Sequence, residues 1–257
     1  MSAATRTTSP TSSNARWAVR EMRRLTLSLD ALAILRSEAK ARDVDVAVAA
    51  TLAELAAVDA VRLGVNEDLS PISAQDVGDV RRVVRTLELA LPVDPSLMKI
   101  ALEAEPERVL LAAEGRDGGL PCEPIDLRGR GVSLAPMVRP LADGGIPVSA
   151  LIKPEIEAVK TAHAEGVEGV EFYTGAIIDL PPVERVRELE KLGDASRLAS
   201  KLRMHIAAGG GLGYRSVSDV IENAPALAAV TVGRAAIARA VLIGLDRALR
   251  DLRALVE

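Results

Sequence analysis

From Leu25 onward the chain repeats one pattern about eight times: a short run of leucine and β-branched residues, then a longer amphipathic segment, with a period of roughly 30 residues. The strand candidates are Leu25–Leu29, Ala60–Val65, Thr86–Leu91, Arg108–Ala113, Pro147–Ile152, Gly169–Thr174, Met204–Ala208 and Leu227–Val232. Between them, Val46–Val58, Gln75–Arg85, Pro95–Ala104, Pro154–Glu165, Val183–Leu202 and Ala235–Leu255 carry helical periodicity. Strands separated by helices run parallel, and eight consecutive units suit a closed (β/α)₈ TIM barrel. A doubly wound open sheet is the alternative, but it rarely needs so many successive units. The expected organisation is a single α/β domain over residues 23–257, preceded by a tail at residues 1–22.

That tail is rich in Ser and Thr, has no acid before Glu21 and lacks an apolar segment, so it reads as a disordered extension, with a transit peptide as the other reading. With 32 basic and 36 acidic residues the net charge is -4, and aromatics make up only 2%. Neither nucleic acid nor an anionic membrane is then an expected partner, since both require basic patches and single strands also require stacking rings. Apolar stretches are interrupted by charges, so no span is expected. Cys122 is the only cysteine and His163 and His205 are the only histidines, which leaves no disulfide, no metal site and a cytoplasmic setting as the expectation.

The seventh strand runs into Ala208-Gly-Gly-Gly-Leu212. Successive glycines let backbone N–H groups approach an anion, and a following helix turns its positive end toward the same place. Ser216-Val-Ser-Asp219 looks like the capping box of that helix. A tight turn after a strand also favours glycine. The eighth strand ends at Gly233-Arg234, and loops after strands seven and eight of a barrel commonly form a phosphate site. Gly209, Gly210, Gly211, Gly233 and Arg234 are therefore candidate phosphate-binding residues.

Alternation along each strand separates lumen from helix-facing positions. In Thr26-Leu-Ser-Leu-Asp30 the leucines face the helices, sending Ser28 and Asp30 inward; the same parity turns Glu88, Glu171 and Tyr173 inward, with Arg62 on the inner face of its strand. Acids in a lumen normally filled by branched apolar side chains are costly unless they line a site or are paired, and Arg62 is the natural partner. Asp30, Glu88 and Glu171 are the candidate catalytic residues, with burial among like charges expected to raise Glu88. Two punctuated segments, Glu114–Gly131 and Thr174–Pro182, fall on the catalytic face, the first long enough to act as a mobile lid.

Taken together, these motifs resemble the pyridoxine 5′-phosphate synthase family. The resemblance rests on Leu29-Asp-Ala-Leu-Ala-Ile-Leu-Arg36, Leu87-Glu-Leu-Ala90, Val170-Glu-Phe-Tyr-Thr-Gly175, Ala208-Gly-Gly-Gly-Leu-Gly-Tyr214 and Val232-Gly-Arg-Ala-Ala-Ile-Ala-Arg-Ala240, and spans nearly everything from Leu25 to Leu255. It implies a barrel enzyme that condenses 1-deoxyxylulose 5-phosphate with 3-amino-2-oxopropyl phosphate without metal or organic cofactor, and a homo-octamer. It also implies Glu88 as acid/base, Glu171 as a second barrel glutamate, Asp30 and Arg36 as polar positions near the first loop, and Gly211 and Gly233 as phosphate-binding backbone. Ser28 and Thr174 complete the expected substrate-binding set.

The chain departs from the family where chemistry is concentrated. Asn-x-Asp-His reads Ser28-Leu-Asp-Ala31, His-x-Arg reads Gly64-Val-Asn66, a further histidine is Pro71, the histidine of the seventh-strand loop is Gly210, and another is Arg234. Each lost proton-transfer group is worth about 10²- to 10⁴-fold in rate. The expected function is thus a diverged carbonyl–amine condensation on a phosphorylated small molecule, or a non-catalytic protein that keeps one anion site.

Overall fold

The computed structural model describes residues 23–115, 119–128 and 132–257; the expected tail lies outside them. Eight parallel strands close a barrel. In chain order the strands are β1 (Arg24–Ser28), β2 (Ala60–Gly64), β3 (Leu87–Leu91), β4 (Arg108–Leu111), β5 (Ala113–Gly115), β6 (Gly119–Glu123), β7 (Val148–Ile152), β8 (Gly169–Tyr173), β9 (His205–Gly209) and β10 (Ala229–Val232). The barrel order is β1-β10-β9-β8-β7-β4-β3-β2, with β5 and β6 forming a separate antiparallel hairpin. The helices are α1 (Asp30–Glu38), α2 (Val46–Leu55), α3 (Ala74–Val83), α4 (Met98–Ala104), α5 (Ala135–Asp143), α6 (Ile156–Ala164), α7 (Gly175–Ile178), α8 (Pro182–Lys201), α9 (Val217–Asn223), α10 (Arg234–Ile243) and α11 (Leu245–Val256). None of the helices among the described residues is long and apolar enough to cross a membrane.

Strand parity divides the buried residues as alternation requires. Leu25, Leu27, Leu63, Leu89, Leu111, Phe172 and Val230 join the large core between sheet and helices, whereas Ala90, Leu110, Ala112 and Leu151 form a second, small cluster inside the barrel. The lumen is therefore apolar over one sector only; the rest is lined by Thr26, Arg62, Glu88, Ser149, Glu171 and Thr231, all buried. Such a lumen is unusual for a fold whose interior is normally filled by branched apolar residues.

Local signals explain the elements that position the site. A capping box starts α3, where Ser73 Oγ accepts from the Asp76 N–H and Asp76 accepts from Ser73. The expected box at Ser216 does not form: Ser216 makes no side-chain cap, and its hydroxyl instead pairs with the Gly213 backbone. The expected final helix is two, because Gly244 takes φ +84°, a left-handed conformation that ends α10 and lets α11 fold back beside it.

The N-terminal end of the barrel is tied shut by one carboxylate. Asp59, entering β2, accepts the Leu25 N–H at 2.7 Å and an ion pair from Arg253 of α11, while Arg253 also donates to the Arg23 carbonyl at 3.1 Å. Asp59→Ala is expected to lower the unfolding free energy by about 1–3 kcal/mol, since it leaves a buried N–H and guanidinium without their acceptor; urea denaturation reads the loss.

Candidate active site

One guanidinium organises the lumen. Arg62 of β2 donates to Glu88 of β3 through Nε (3.1 Å) and Nη2 (2.7 Å), and to Glu171 of β8 through Nη1 (2.8 Å) and Nη2 (2.7 Å). Glu171 also accepts from the Thr231 hydroxyl at 3.2 Å. Burial works against the charges of Arg62 and Glu88, but attraction outweighs it: despite burial, the pull of Glu171 and Glu88 holds Arg62 firmly protonated. For Glu88, burial alone would raise the carboxyl, yet the charge and hydrogen bonds of Arg62 bring it below its ordinary value. The expectation that Glu88 is raised is thus reversed, because its nearest neighbour is a cation rather than another acid.

Above this triad opens a cavity of about 440 Å³, lined by Arg62 and Glu171 but not by Glu88. Glu88 lies on the far side of Arg62, against a void of about 10 Å³ that it shares with Arg108, Ser149 and His205. Asp30, at the start of α1, does line the large cavity. Its Oδ1 accepts the Gly64 N–H at 2.7 Å, and the absence of a side chain at 64 is what admits it: a Cβ there would lie 3.0 Å from Asp30 Oδ2. Burial raises the Asp30 carboxyl, only partly offset by the Gly64 N–H, Ser28 and Arg62. Asp30 thus combines a place on the cavity with an affinity for a proton that is raised.

The adjoining rim, after β9 and β10, is cationic. Gly210 and Gly211, with φ +75° and +98°, turn the chain after β9, and Gly233 leads into α10 beside them. Arg234 is exposed at the first turn of α10 and makes no ion pair or hydrogen bond among the described residues. The unpaired N–H groups of that first turn and the free guanidinium make a cup that can hold an anion. The helix that aims at the cup is α10 and not, as expected, the one that follows the glycines; α9 begins only at Val217 and stands off the cavity.

Ser28, Asp30, Glu171, Gly210, Gly211, Gly233 and Arg234 thus meet on one cavity, and Glu88, Arg36, Thr174 and Gly209 stand outside it. Arg36 makes a bidentate pair with Asp76 (2.7 and 2.9 Å) and donates to the Pro71 carbonyl, fastening α1 to α3. Thr174 Oγ1 donates to the Gly209 and Gly210 carbonyls at 2.9 and 3.0 Å, fixing the loop rather than facing the cavity. Gly209 is bare because a Cβ would lie 2.1 Å from Glu171 Oε1. Two contributors were not in the expected set. Thr231 was legible from the parity of β10, and the β5–β6 hairpin, whose Leu120, Pro121, Cys122 and Glu123 line the cavity, carries no regular alternation that would disclose it. The hairpin lies within the segment expected as a lid. Tyr173 hangs from β8 beneath it: burial and then the charge and hydrogen bond of Glu123 raise its phenol, and its ring fills the space beside Gly210, where a Cβ would approach Cδ2 to 2.4 Å.

Comparison with known proteins finds a family and its members. The sequence model of the family described as Pyridoxal phosphate biosynthesis protein PdxJ matches residues 25–257. Relatives include pyridoxine 5′-phosphate synthase of Syntrophobacter fumaroxidans, 35% identical over 243 residues that cover 92% of this chain and all (100%) of that protein. Another is the pyridoxine 5′-phosphate synthase of a Synechococcus strain, 35% identical over 89% of this chain and 96% of the relative. Among solved structures, a 3-hexulose-6-phosphate synthase superposes with a TM-score of 0.61 at 15% identity, covering 91% of this chain and 100% of the other, a likeness of fold alone.

Arg62→Met is expected to cost about 3–5 kcal/mol in urea denaturation, because it strands two buried carboxylates; adding Glu88→Gln and Glu171→Gln should recover most of the loss. His205, on the inner face of β9, has its pKa lowered from 6.5 to about 4 by burial and then by Arg108, against the pull of Glu88. The fold prefers the neutral ring, so this contribution is complete above the ordinary histidine value and disappears as pH falls between 6.5 and about 4. Over that window the wild type should lose up to about 3 kcal/mol more than His205→Gln.

Proposed function

The chain belongs to the PdxJ family of pyridoxal phosphate biosynthesis proteins, and from that premise we propose that it is a pyridoxine 5′-phosphate synthase-like barrel enzyme that binds one phosphorylated small molecule and carries out a diverged carbonyl–amine condensation or dehydration. The observation that carries this reading is the convergence of the anion cup and a proton-retaining Asp30 on one cavity. Phosphate held by Gly210, Gly211, Gly233 and Arg234 places the remainder of the ligand against Asp30 and the Arg62–Glu171 pair. Asp30 is the proton-transfer group of this reading: protonated, it donates to a carbonyl or leaving hydroxyl oxygen, and ionised, it accepts the proton of the attacking amine. Glu171 contributes negative charge beside that centre, and Glu88 acts at one remove by orienting Arg62.

The pairing of both glutamates with Arg62 favours a second reading, a non-catalytic member that binds the phosphorylated ligand and turns nothing over. Two measurements separate them. Asp30→Asn should abolish turnover while leaving stability at neutral pH equal to or above wild type: the folded carboxyl is raised from 3.8, so its ionisation opposes folding as pH rises through that window, and the amide cannot ionise. The non-catalytic reading instead predicts ligand binding without turnover in the wild type as well. With 1-deoxyxylulose 5-phosphate and 3-amino-2-oxopropyl phosphate the expected rate is at least about 10²-fold below that of a family member that keeps its histidines; an equal rate in a coupled phosphate-release assay would refute the diverged reading. Arg234→Ala should weaken binding of the phosphorylated ligand about tenfold or more by calorimetry.

A further inference from the structure

We propose that the outward face of α2 is an interface between two copies of this chain, their α2 helices antiparallel about a two-fold axis beside Thr51. The face is remote from the candidate cavity, none of whose lining residues belongs to α2.

A helix on the outside of a barrel needs one apolar stripe, toward the strands, and a helix apolar on every side is one covered on every side. α2 carries two stripes. Val46, Ala49, Ala50 and Ala53 are buried, while Val48, Leu52 and Leu55, spaced i, i+4 and i+7, are 56%, 45% and 70% exposed. Val83, at the end of the neighbouring α3, extends this second stripe. The other run of exposed apolar residues, Val241, Leu242 and Ile243 of α10, is consecutive and so winds around its helix instead of forming a ridge.

The two polar side chains of α2 already have partners. Thr51 Oγ1 donates to the Ala47 carbonyl at 2.9 Å, and Glu54 accepts the Arg85 N–H at 2.5 Å. The Leu55 carbonyl, at the open end of the helix, accepts from Arg250 at 3.3 Å. Covering the face therefore leaves these groups paired and removes hydrocarbon from water. Charge selects the occupant. At the N-terminal end, over Arg42–Asp45, acids outnumber bases two to one, whereas exposed Arg85 and Arg250 flank the C-terminal end. Antiparallel packing sets Asp43 and Asp45 of each copy near the arginines of the other, and opposes the two helix dipoles favourably. A foreign protein would need that pattern by design; a second copy has it by symmetry.

Sedimentation of the full chain at micromolar concentration tests this, with a disulfide as the second measurement. The wild type should sediment as a dimer or a multiple of one. Leu52→Asp combined with Leu55→Asp should weaken the association at least about tenfold and cut the mass to half or less, with an unchanged circular dichroism spectrum. Cys122 is the only cysteine, so Thr51→Cys in a Cys122→Ser background offers a single thiol. It should cross-link two chains on mild oxidation, because a residue beside a two-fold axis faces its own copy. That variant keeps both leucines and decides the case if the double aspartate variant does not fold. A monomeric wild type would overturn the proposal and leave α2 to residues 1–22 or to a foreign partner. An unchanged mass in the folded double variant, or a Thr51→Cys protein that stays uncrosslinked, would overturn it equally.

Discussion

A single buried guanidinium sets the terms for the whole lumen. Two carboxylates on β3 and β8 point into a space that a barrel normally fills with branched hydrocarbon, and each would be driven to protonate were it alone. Arg62, on β2, reaches both, so that the neighbouring strands β2 and β3 are joined by charge to β8 across the barrel. Attraction at this depth is strong because little water screens it, yet much of it only offsets the desolvation of the same groups. Its value to the protein is geometric: Glu171 is fixed on the cavity side, Glu88 on the far side, and the floor of the cavity is a rigid ionic plate.

Upon that floor the site divides into unlike halves. Asp30 leans over a glycine on the β2 side and has its carboxyl raised by burial, whereas the rim between β9 and α10 offers N–H groups and a free arginine. The helix-facing core gives these groups their positions: Leu25, Leu27 and Leu29 lock β1 against its helices, and the next residue along the chain is Asp30. A carboxyl raised by burial and a cationic rim thus occupy adjoining sectors of one chamber, with the hairpin as its roof.

The barrel was readable in the sequence because period and parity are strong local signals, and each of the eight strand readings overlaps an observed barrel strand, with ends that differ by a residue or two. Parity also put Asp30, Glu171 and Arg62 on the inner face correctly. What it could not convey was height along the barrel axis. Glu88 and Glu171 look equivalent in a strand pattern, but strand stagger leaves one below the guanidinium and the other beside the cavity. Thr174 and Arg36 were misplaced for a different reason: both are polar residues near the catalytic rim, and only tertiary contacts reveal that they fasten loops and helices together. The segment above the cavity was legible as a cover of the catalytic face, but its hairpin form was not, because its residues, Gly119-Leu-Pro-Cys-Glu123, obey no amphipathic rule.

Tyr173 and Gly210 carry a joint consequence. The ring of one occupies the volume that a side chain at the other would need, and the left-handed backbone at 210 resists any residue with a Cβ. The two stand on neighbouring strands, where Tyr173 pairs with Gly209. A side chain at 210 would demand simultaneous retreat of the tyrosine and relaxation of the loop. This stretch of the cavity wall is therefore set by two residues together, and it changes shape only when both change.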